Sequence, residues 1–139
     1  MGLGTDGCGS NNNLDLLEEA RLAALIAKVR EDDPTAVAAG AALRMATIGG
    51  AQALHLDHLI GSLEPGKRCD CILVDLSAPH LQPGHNLVSH MIYAAQAGDV
   101  STTIVNGTFD DILDHCPSGI PVAMLGPTTP MVPAVFKDY

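Results

Sequence analysis

The feature that most constrains how this 139-residue chain folds is its opening run, Gly2-Leu3-Gly4-Thr5-Asp6-Gly7-Cys8-Gly9-Ser10-Asn11-Asn12-Asn13. Leu3 to Thr5 reads as a strand remnant that runs into an acidic residue. Glycines then permit a tight loop, and Asn12 or Asn13 is suited to cap a helix. A helical pattern follows from about Leu14 to Val29, where Leu14, Leu17, Leu22, Leu25, Ile26 and Val29 recur mostly at steps of three and four. Strand, loop and helix in that order predict an α/β fold. They also set Asp6 at the C-terminal tip of the strand, where such folds carry their chemistry.

The remaining elements are legible from punctuation and periodicity. Asp15, Glu18 and Glu19 sit near the positive end of the first helix, with Lys28 and Arg30 near its negative end, as the macrodipole favours. Asp33-Pro34 predicts a second helix with proline in its first turn, running to Thr47 or Ile48 and stopping at Gly49-Gly50. A short helix over about Ala51 to Leu56 follows. Pro65-Gly66 has the order of a type II turn and is expected to join two strands, the second being Cys69 to Leu76. Ser89 is suited to cap a helix over His90 to Gln96, ended by Gly98. Val100 to Val105 is β-branched and reads as a strand, with Asn106-Gly107 as a hairpin turn. Pro117, Pro121, Pro127, Pro130 and Pro133 preclude a long helix and discourage paired strands, so the tail is expected to be irregular.

Charge and composition narrow the function. Seven Lys+Arg against 16 Asp+Glu give a net charge of −9, which argues against nucleic acid and anionic membrane as partners. No run of 18 apolar residues suggests a membrane span, and no basic-then-apolar leader opens the sequence. The aromatic content of 3% suits helices packed on a sheet better than a stacking platform for bases. Cys8, Cys69, Cys71 and Cys116 lack C-x-x-C spacing. Cys69 and Cys71 fall on one face of their strand, which favours reduced, half-buried thiols in a cytoplasmic protein.

The run Gly4-Thr5-Asp6-Gly7 through Ser10-Asn11-Asn12 resembles the last barrel strand of the metal-dependent amidohydrolases, in particular the aminohydrolases and chlorohydrolases. Three further stretches extend the resemblance in order. They are Ala42-Leu43-Arg44-Met45-Ala46-Thr47-Ile48-Gly49-Gly50-Ala51-Gln52-Ala53-Leu54, then Ile60-Gly61-Ser62-Leu63-Glu64-Pro65-Gly66-Lys67-Arg68-Cys69-Asp70-Cys71-Ile72-Leu73-Val74-Asp75, then Ser89-His90-Met91-Ile92-Tyr93-Ala94-Ala95 with Val105-Asn106-Gly107. The likeness fades beyond Gly107, where Thr108-Phe109-Asp110-Asp111 breaks the apolar alternation. The Ser10-to-Asp15 context looks nearest to 5′-methylthioadenosine/S-adenosylhomocysteine deaminases, with triazine chlorohydrolases and guanine-type deaminases as near alternatives.

The resemblance implies an α/β fold holding the C-terminal part of a (β/α)8 barrel, its last strand and following helices, together with part of the family's small β-sandwich. A whole barrel needs about 250 residues. The implied organisation is 1–58 for the strand and helices, 59–109 for the sandwich-returning segment and 110–139 for a divergent Pro-rich tail. Met1 stands where the family usually carries an apolar β residue; an internal start site, a split gene or a shortened chain would each produce that. The resemblance implies that Asp6 is both a metal ligand and the catalytic acceptor of a proton from water, with zinc the favoured divalent metal. Ser10 and Asn11 would line the substrate mouth.

Each of these residues also has a plainer reading. Asp6 could cap the loop, and Ser10 and Asn11 could cap the helix. Cys8 reads as a small packing residue, with a soft extra ligand as the alternative. Glu18 and Glu19 read as a solvated helix face. The family's other ligands, an H-x-H pair and further His, find no match, because His55, His58, His80, His85, His90 and His115 include no such pair. His55 and His58 are expected to face solvent at a helix end, His80 and His85 to lie on the surface, and His90 to be partly buried at a helix start.

The expected function is therefore the C-terminal portion of a metal-dependent hydrolase that deaminates a purine-like small molecule. By itself such a chain should be inactive and bind no metal stably, because one carboxylate cannot hold a catalytic ion. It should self-associate or take up a complementary fragment. The alternative is a non-catalytic structural or interaction module reusing the scaffold.

Overall fold

A computed structural model describes residues 1–107 and 122–125. Helices α1 (Leu16–Glu31), α2 (Ala39–Ala46) and α3 (Ile48–Ala53) precede strand β1 (Cys69–Asp75). Helix α4 (Leu87–Tyr93), strand β2 (Val100–Gly107) and strand β3 (Val122–Leu125) complete the described chain. The sheet has the order β2-β1-β3 and is antiparallel at both pairings.

Alternation along β1 divides the core. Val74, with Leu76 just beyond the strand, packs toward the helices with Leu81, Met91, Ile92, Ala20, Ala24 and Leu43. Cys69, Cys71 and Leu73 join Ile104 and Leu63 on the other face. The two thiols are buried, with their sulfurs 4.0 Å apart. Helical and sheet segments thus share one core. Burying the full Met91, Ile92, Leu81 and Val74 side chains contributes about 1.5–3 kcal/mol each.

Several expected boundaries move for local reasons. Leu3 to Thr5 forms no strand, since none of the described strands lies beside it; Leu3 instead donates its N–H to the Met45 carbonyl at 3.0 Å. The cap of α1 is Asp15, not Asn12 or Asn13, and its carboxylate accepts from the Leu17 and Glu18 N–H groups. The Asp33-Pro34 helix is only a turn. Asp33 accepts from the Thr35 N–H and hydroxyl, Val37 takes a positive φ of 44°, and α2 starts afresh at Ala39. Gly49-Gly50 does not stop a helix; both lie within α3. A Cβ on Gly49 would collide with the Met1 carbonyl oxygen and one on Gly2 would come within 2.7 Å of the Gly50 Cα, so the opening run lies directly on α3.

Gly66, at φ 91°, makes the expected turn, closed by the Lys67 N–H on the Glu64 carbonyl at 3.1 Å. Among the described residues no strand precedes it. The cap of α4 is Asn86, which accepts from the Ser89 N–H, and the helix ends at Tyr93 rather than Gln96. Asn106 and Gly107 continue β2 rather than turning, with Gly107 opposite Cys69. Within the tail read as irregular, Val122–Leu125 pairs with β1 as a short edge strand lying between Pro121 and Pro127, so no proline interrupts its ladder. The expectations for Thr108–Asp111, His115, Cys116 and the rest of the tail lie outside the described residues.

The helix periodicity around α1 was legible, but the buried face is made of alanines. Ala20 and Ala24 are fully buried, and Leu22, Leu25, Ile26 and Val29 are exposed. Alanine lets α1 sit close against α2 and α4, and the leucine-rich side is left outward. Among the described residues no helix is long and apolar enough to cross a membrane.

Candidate functional site

Asp6 occupies the loop ahead of α1, with φ 59° in the left-handed region that non-glycine residues enter infrequently. The conformation is held by its own side chain. The Gly7 N–H donates to Oδ1 at 2.7 Å and the Ser10 hydroxyl donates to Oδ2 at 2.6 Å. The Ser10 and Asn11 N–H groups both reach the Gly7 carbonyl at 3.0 Å, closing the turn beneath it. The carboxylate is exposed. Its pKa is lowered below the ordinary aspartate value, first by the Ser10 hydroxyl and then by the Gly7 N–H. Asp6 is therefore an anion across the physiological range, pointing into open space on the loop.

Asn11 lies on the same loop and is partly buried. Its amide donates to the Thr5 carbonyl at 2.9 Å and to Glu19 Oε1 at 2.8 Å. One side chain thus ties the residue before Asp6 to the first turn of α1. Neither Ser10 nor Asn11 caps that helix. Glu19 and Glu18, read from sequence as a solvated face, both accept side-chain amides, Glu18 from Asn13 at 2.5 Å. The signal that could have found them is the Asn cluster itself, since three adjacent amides need acceptors and the nearest carboxylates lie one turn into the helix.

The remaining sequence candidates do not converge on Asp6. Cys8 is exposed rather than packed, because the glycine-flanked loop stands off the core. His55, His58, His80 and His85 are exposed, as expected. His80 pairs with Asp99 at 3.0 Å. His90 is partly buried within α4, where Nδ1 meets the Asn86 carbonyl at 2.8 Å. Among the described residues no group of three or more His, Cys, Asp or Glu is placed to hold a metal ion. A complete metal centre therefore does not fit the described residues, whereas a single carboxylate ligand does.

A cavity of about 330 Å³ opens between α1, α2 and β1, lined by Leu17, Leu43, Ile72, Ile92 and Val100 among others. Its lining is almost wholly apolar and does not include Asp6.

The described site is thus a single exposed, ionised carboxylate on the loop that precedes α1. The sequence profile of the Amidohydrolase family matches residues 1–109, and the chain belongs to that family. It is similar to a 5-methylthioadenosine/S-adenosylhomocysteine deaminase of Pelotomaculum thermopropionicum, with 57% identity over 107 residues, 77% of this chain and 24% of that protein. It is also similar to a 5′-deoxyadenosine deaminase of Methanosarcina acetivorans, with 52% identity over 105 residues, 76% of this chain and 24% of the relative. Among solved structures it resembles an adenosine deaminase from Xanthomonas campestris with bound zinc. That likeness has a TM-score of 0.74 and 48% identity, over 77% of this chain and 24% of that one. The chain spans about a quarter of the length of the relatives it matches.

Proposed function

We propose that this chain is the C-terminal part of a cytoplasmic, metal-dependent hydrolase that deaminates an adenosine-derived small molecule, and that Asp6 is its catalytic carboxylate. The observation that carries the reading is the state of Asp6. It is exposed and ionised, and fixed at a positive φ by Gly7 and Ser10, inside a stretch matched by the family profile.

In this reading Asp6 supplies one ligand to a divalent metal, zinc by analogy with the metal-bound relative. The metal, when bound, lowers the pKa of water and polarises the bond to be broken. The part this chain contributes is the proton acceptor. Gly7 and Ser10 each occupy one carboxylate oxygen, which fixes the rotamer and leaves the outward lone pairs available. Asn11 sets the height of the loop by holding Thr5 against Glu19, so Ser10 and Asn11 act as positioning residues around the acceptor.

Other ligands come from a complementary polypeptide, and the chain alone is inactive. The alternative, a non-catalytic module, would share that inactivity. A graft separates the two readings. Residues 1–107 would be fused behind the upstream region of the Pelotomaculum relative, and ammonia release from 5′-methylthioadenosine measured with added zinc. The hydrolase reading expects activity in the graft, none in the isolated chain, and a loss of about 10²–10⁴-fold in the graft with Asp6→Asn. Near-full activity of that Asp6→Asn graft would refute the assigned role. A folded graft with no activity would favour the module.

A further inference from the structure

Asp6-Gly7 is the one Asp-Gly step in the sequence, and both residues are exposed on the loop ahead of α1. The Gly7 N–H donates to Asp6 Oδ1 at 2.7 Å, which sets the nitrogen of the following peptide beside the side-chain carboxyl group. Other aspartates held by backbone N–H groups are placed differently. Asp15, Asp33 and Asp75 accept from residues two further on, Leu17, Thr35 and Ser77, and Asp99 accepts from Gln96, three residues back. Gly7 also brings no Cβ to obstruct the approach of its own nitrogen, and nothing lies within 4 Å of the place a Cβ would take. We propose that Asp6-Gly7 is a modification site, at which the folded chain converts its own Asp6 to isoaspartate through a cyclic imide.

The step needs only water and its protons. The Gly7 nitrogen bonds to Asp6 Cγ and gives up its proton to Oδ1, already its acceptor. A second proton comes from solvent, the Cγ–Oδ1 bond breaks, and Oδ1 leaves as water. Oδ2 stays behind as the imide carbonyl, with the Ser10 hydroxyl that donates to it at 2.6 Å. The Asp6 main-chain carbonyl, which forms the other side of the imide, has its own donor in the Thr5 hydroxyl at 3.2 Å. Water then adds to either carbonyl. Attack on the side-chain carbonyl breaks the new bond and returns Asp6. Attack on the main-chain carbonyl breaks the original peptide bond to Gly7 instead, and the chain now runs through Cβ and Cγ. Each opening releases one proton, so the sum is an isomerisation without change of mass.

An ionised carboxylate is a weak electrophile, so this is slow ageing chemistry, and the fold contributes placement. The Ser10 and Asn11 N–H groups hold the Gly7 carbonyl at 3.0 Å and so fix the peptide that carries the attacking nitrogen. Exposure of the loop admits the water that opens the imide. In isoaspartate the free carboxylate is attached at Cα and the former side chain is main chain, so the contacts to Gly7 and Ser10 that fix the Asp6 rotamer are lost. If Asp6 is the ligand and proton acceptor proposed above, the product can serve as neither. The modification itself does not rest on that reading, and its test reads bond connectivity rather than activity.

The test is incubation of the full chain at physiological pH and temperature, with one sample folded and one unfolded in urea. Isoaspartate is counted by enzymatic methylation of isoaspartyl groups and located by electron-transfer fragmentation, which tells it from aspartate. It should accumulate at Asp6 in the folded chain at least as fast as in urea, while Asp15, Asp33 and Asp75 stay unchanged. Mass spectra of the folded sample should also show a species lighter by one water at Asp6. Gly7→Ala keeps the loop free of clashes and adds a Cβ beside the attacking nitrogen, so isomerisation should slow several-fold with the circular dichroism unchanged. Absence of isoaspartate at Asp6 in the folded chain, a faster reaction in urea, or an undiminished rate in folded Gly7→Ala would each overturn the proposal. The comparison of folded with unfolded parent decides it even where the variant does not fold.

Discussion

Replacing Arg21 with Met tests how α1 is anchored. Arg21 lies on α1 and donates from Nε to the Ile92 carbonyl at 3.1 Å and from Nη2 to the Ala95 carbonyl. Both acceptors belong to fully buried residues at the end of α4, where helix carbonyls have no intrahelical partner. Methionine keeps much of the aliphatic stem and removes both donors. Two buried carbonyls are then stranded at about 1–3 kcal/mol each, so the expected loss is ~2–5 kcal/mol after the recovered solvation of arginine is allowed for. With total stability of ordinary domains at about 5–15 kcal/mol, that is a large fraction. Urea unfolding at fixed protein concentration, followed by circular dichroism, should show a midpoint lower by about 1 M or more, given slopes of about 1–3 kcal/mol per M. Arg21→Lys should recover part of the loss, because one point donor cannot reach both carbonyls at once. A midpoint for Arg21→Met within about 0.2 M of the parent would refute the reasoning, since it would mean the carbonyls are satisfied elsewhere at no cost.

Three further outcomes each rest on one geometric feature. Gly61 has φ 96°, and a Cβ there would stand 2.7 Å from the Ala51 Cβ and the Ile48 Cδ1. Gly61→Ala should therefore cost ~2–4 kcal/mol in denaturant unfolding, and a neutral result would show that the 59–62 segment shifts freely off α3. Ser10→Ala removes the largest cause of the low Asp6 pKa, so an NMR titration should find the Asp6 carboxyl moved up toward the ordinary aspartate value; no movement would assign the effect to Gly7. Asp6, Asp33, Glu64 and Asp75 all have pKa values lowered by hydrogen bonds, first from Ser10, Thr35, Ser62 and the Ser77 N–H respectively. Their folded values lie below their unfolded ones, so the stabilisation is complete above the ordinary carboxylate range and fades as pH falls through the lowered values. Unfolding midpoints should accordingly hold constant down to about pH 4–5 and decline below it, and a decline that begins near neutrality would point to histidine instead.

Local chemistry that completes within a few residues was readable in advance. The β1 strand was legible because Ile72, Leu73 and Val74 alternate between two covered faces; its start stayed at Cys69 and its end moved by one residue. The Pro65-Gly66 turn was legible because only glycine accepts φ 91° without strain. Where two residues could perform one task, the sequence left the choice open. Asn12 and Asn13 were the expected caps of α1, and the carboxylate of Asp15 takes the place because it reaches two N–H groups at once while Asn13 is drawn to Glu18. Gly49-Gly50 has the composition of a helix stop, yet glycine is needed at 49 because the Met1 carbonyl, forty-eight residues away, lies against it, and no local pattern encodes that. Periodicity found α1 but not its buried side. The sum of apolarity favours the leucines, whereas the close approach of α2 and α4 selects alanine.

The site divides along the same line. Asp6 was legible because it lies within one unbroken motif, and Gly7 and Ser10, which fix its rotamer, lie within four residues of it. For Asn11 the sequence gives its neighbours along the chain and not the two acceptors, Thr5 and Glu19, that its amide joins across the loop. A metal centre is less legible still. Its ligands converge from separate elements, each supplying one atom, and no spacing rule links them once they leave a shared strand or helix turn. In the proposed reading one exposed carboxylate carries the chemistry of the chain, and its lowered pKa carries a consequence. An anion held below the usual aspartate range is a weak proton acceptor by itself, so its competence as a base depends on a partner that acidifies the water it faces. In the proposed reading the hydrogen bonds from Gly7 and Ser10 orient Asp6 as the proton acceptor, and the group that acidifies the water comes from outside the described residues.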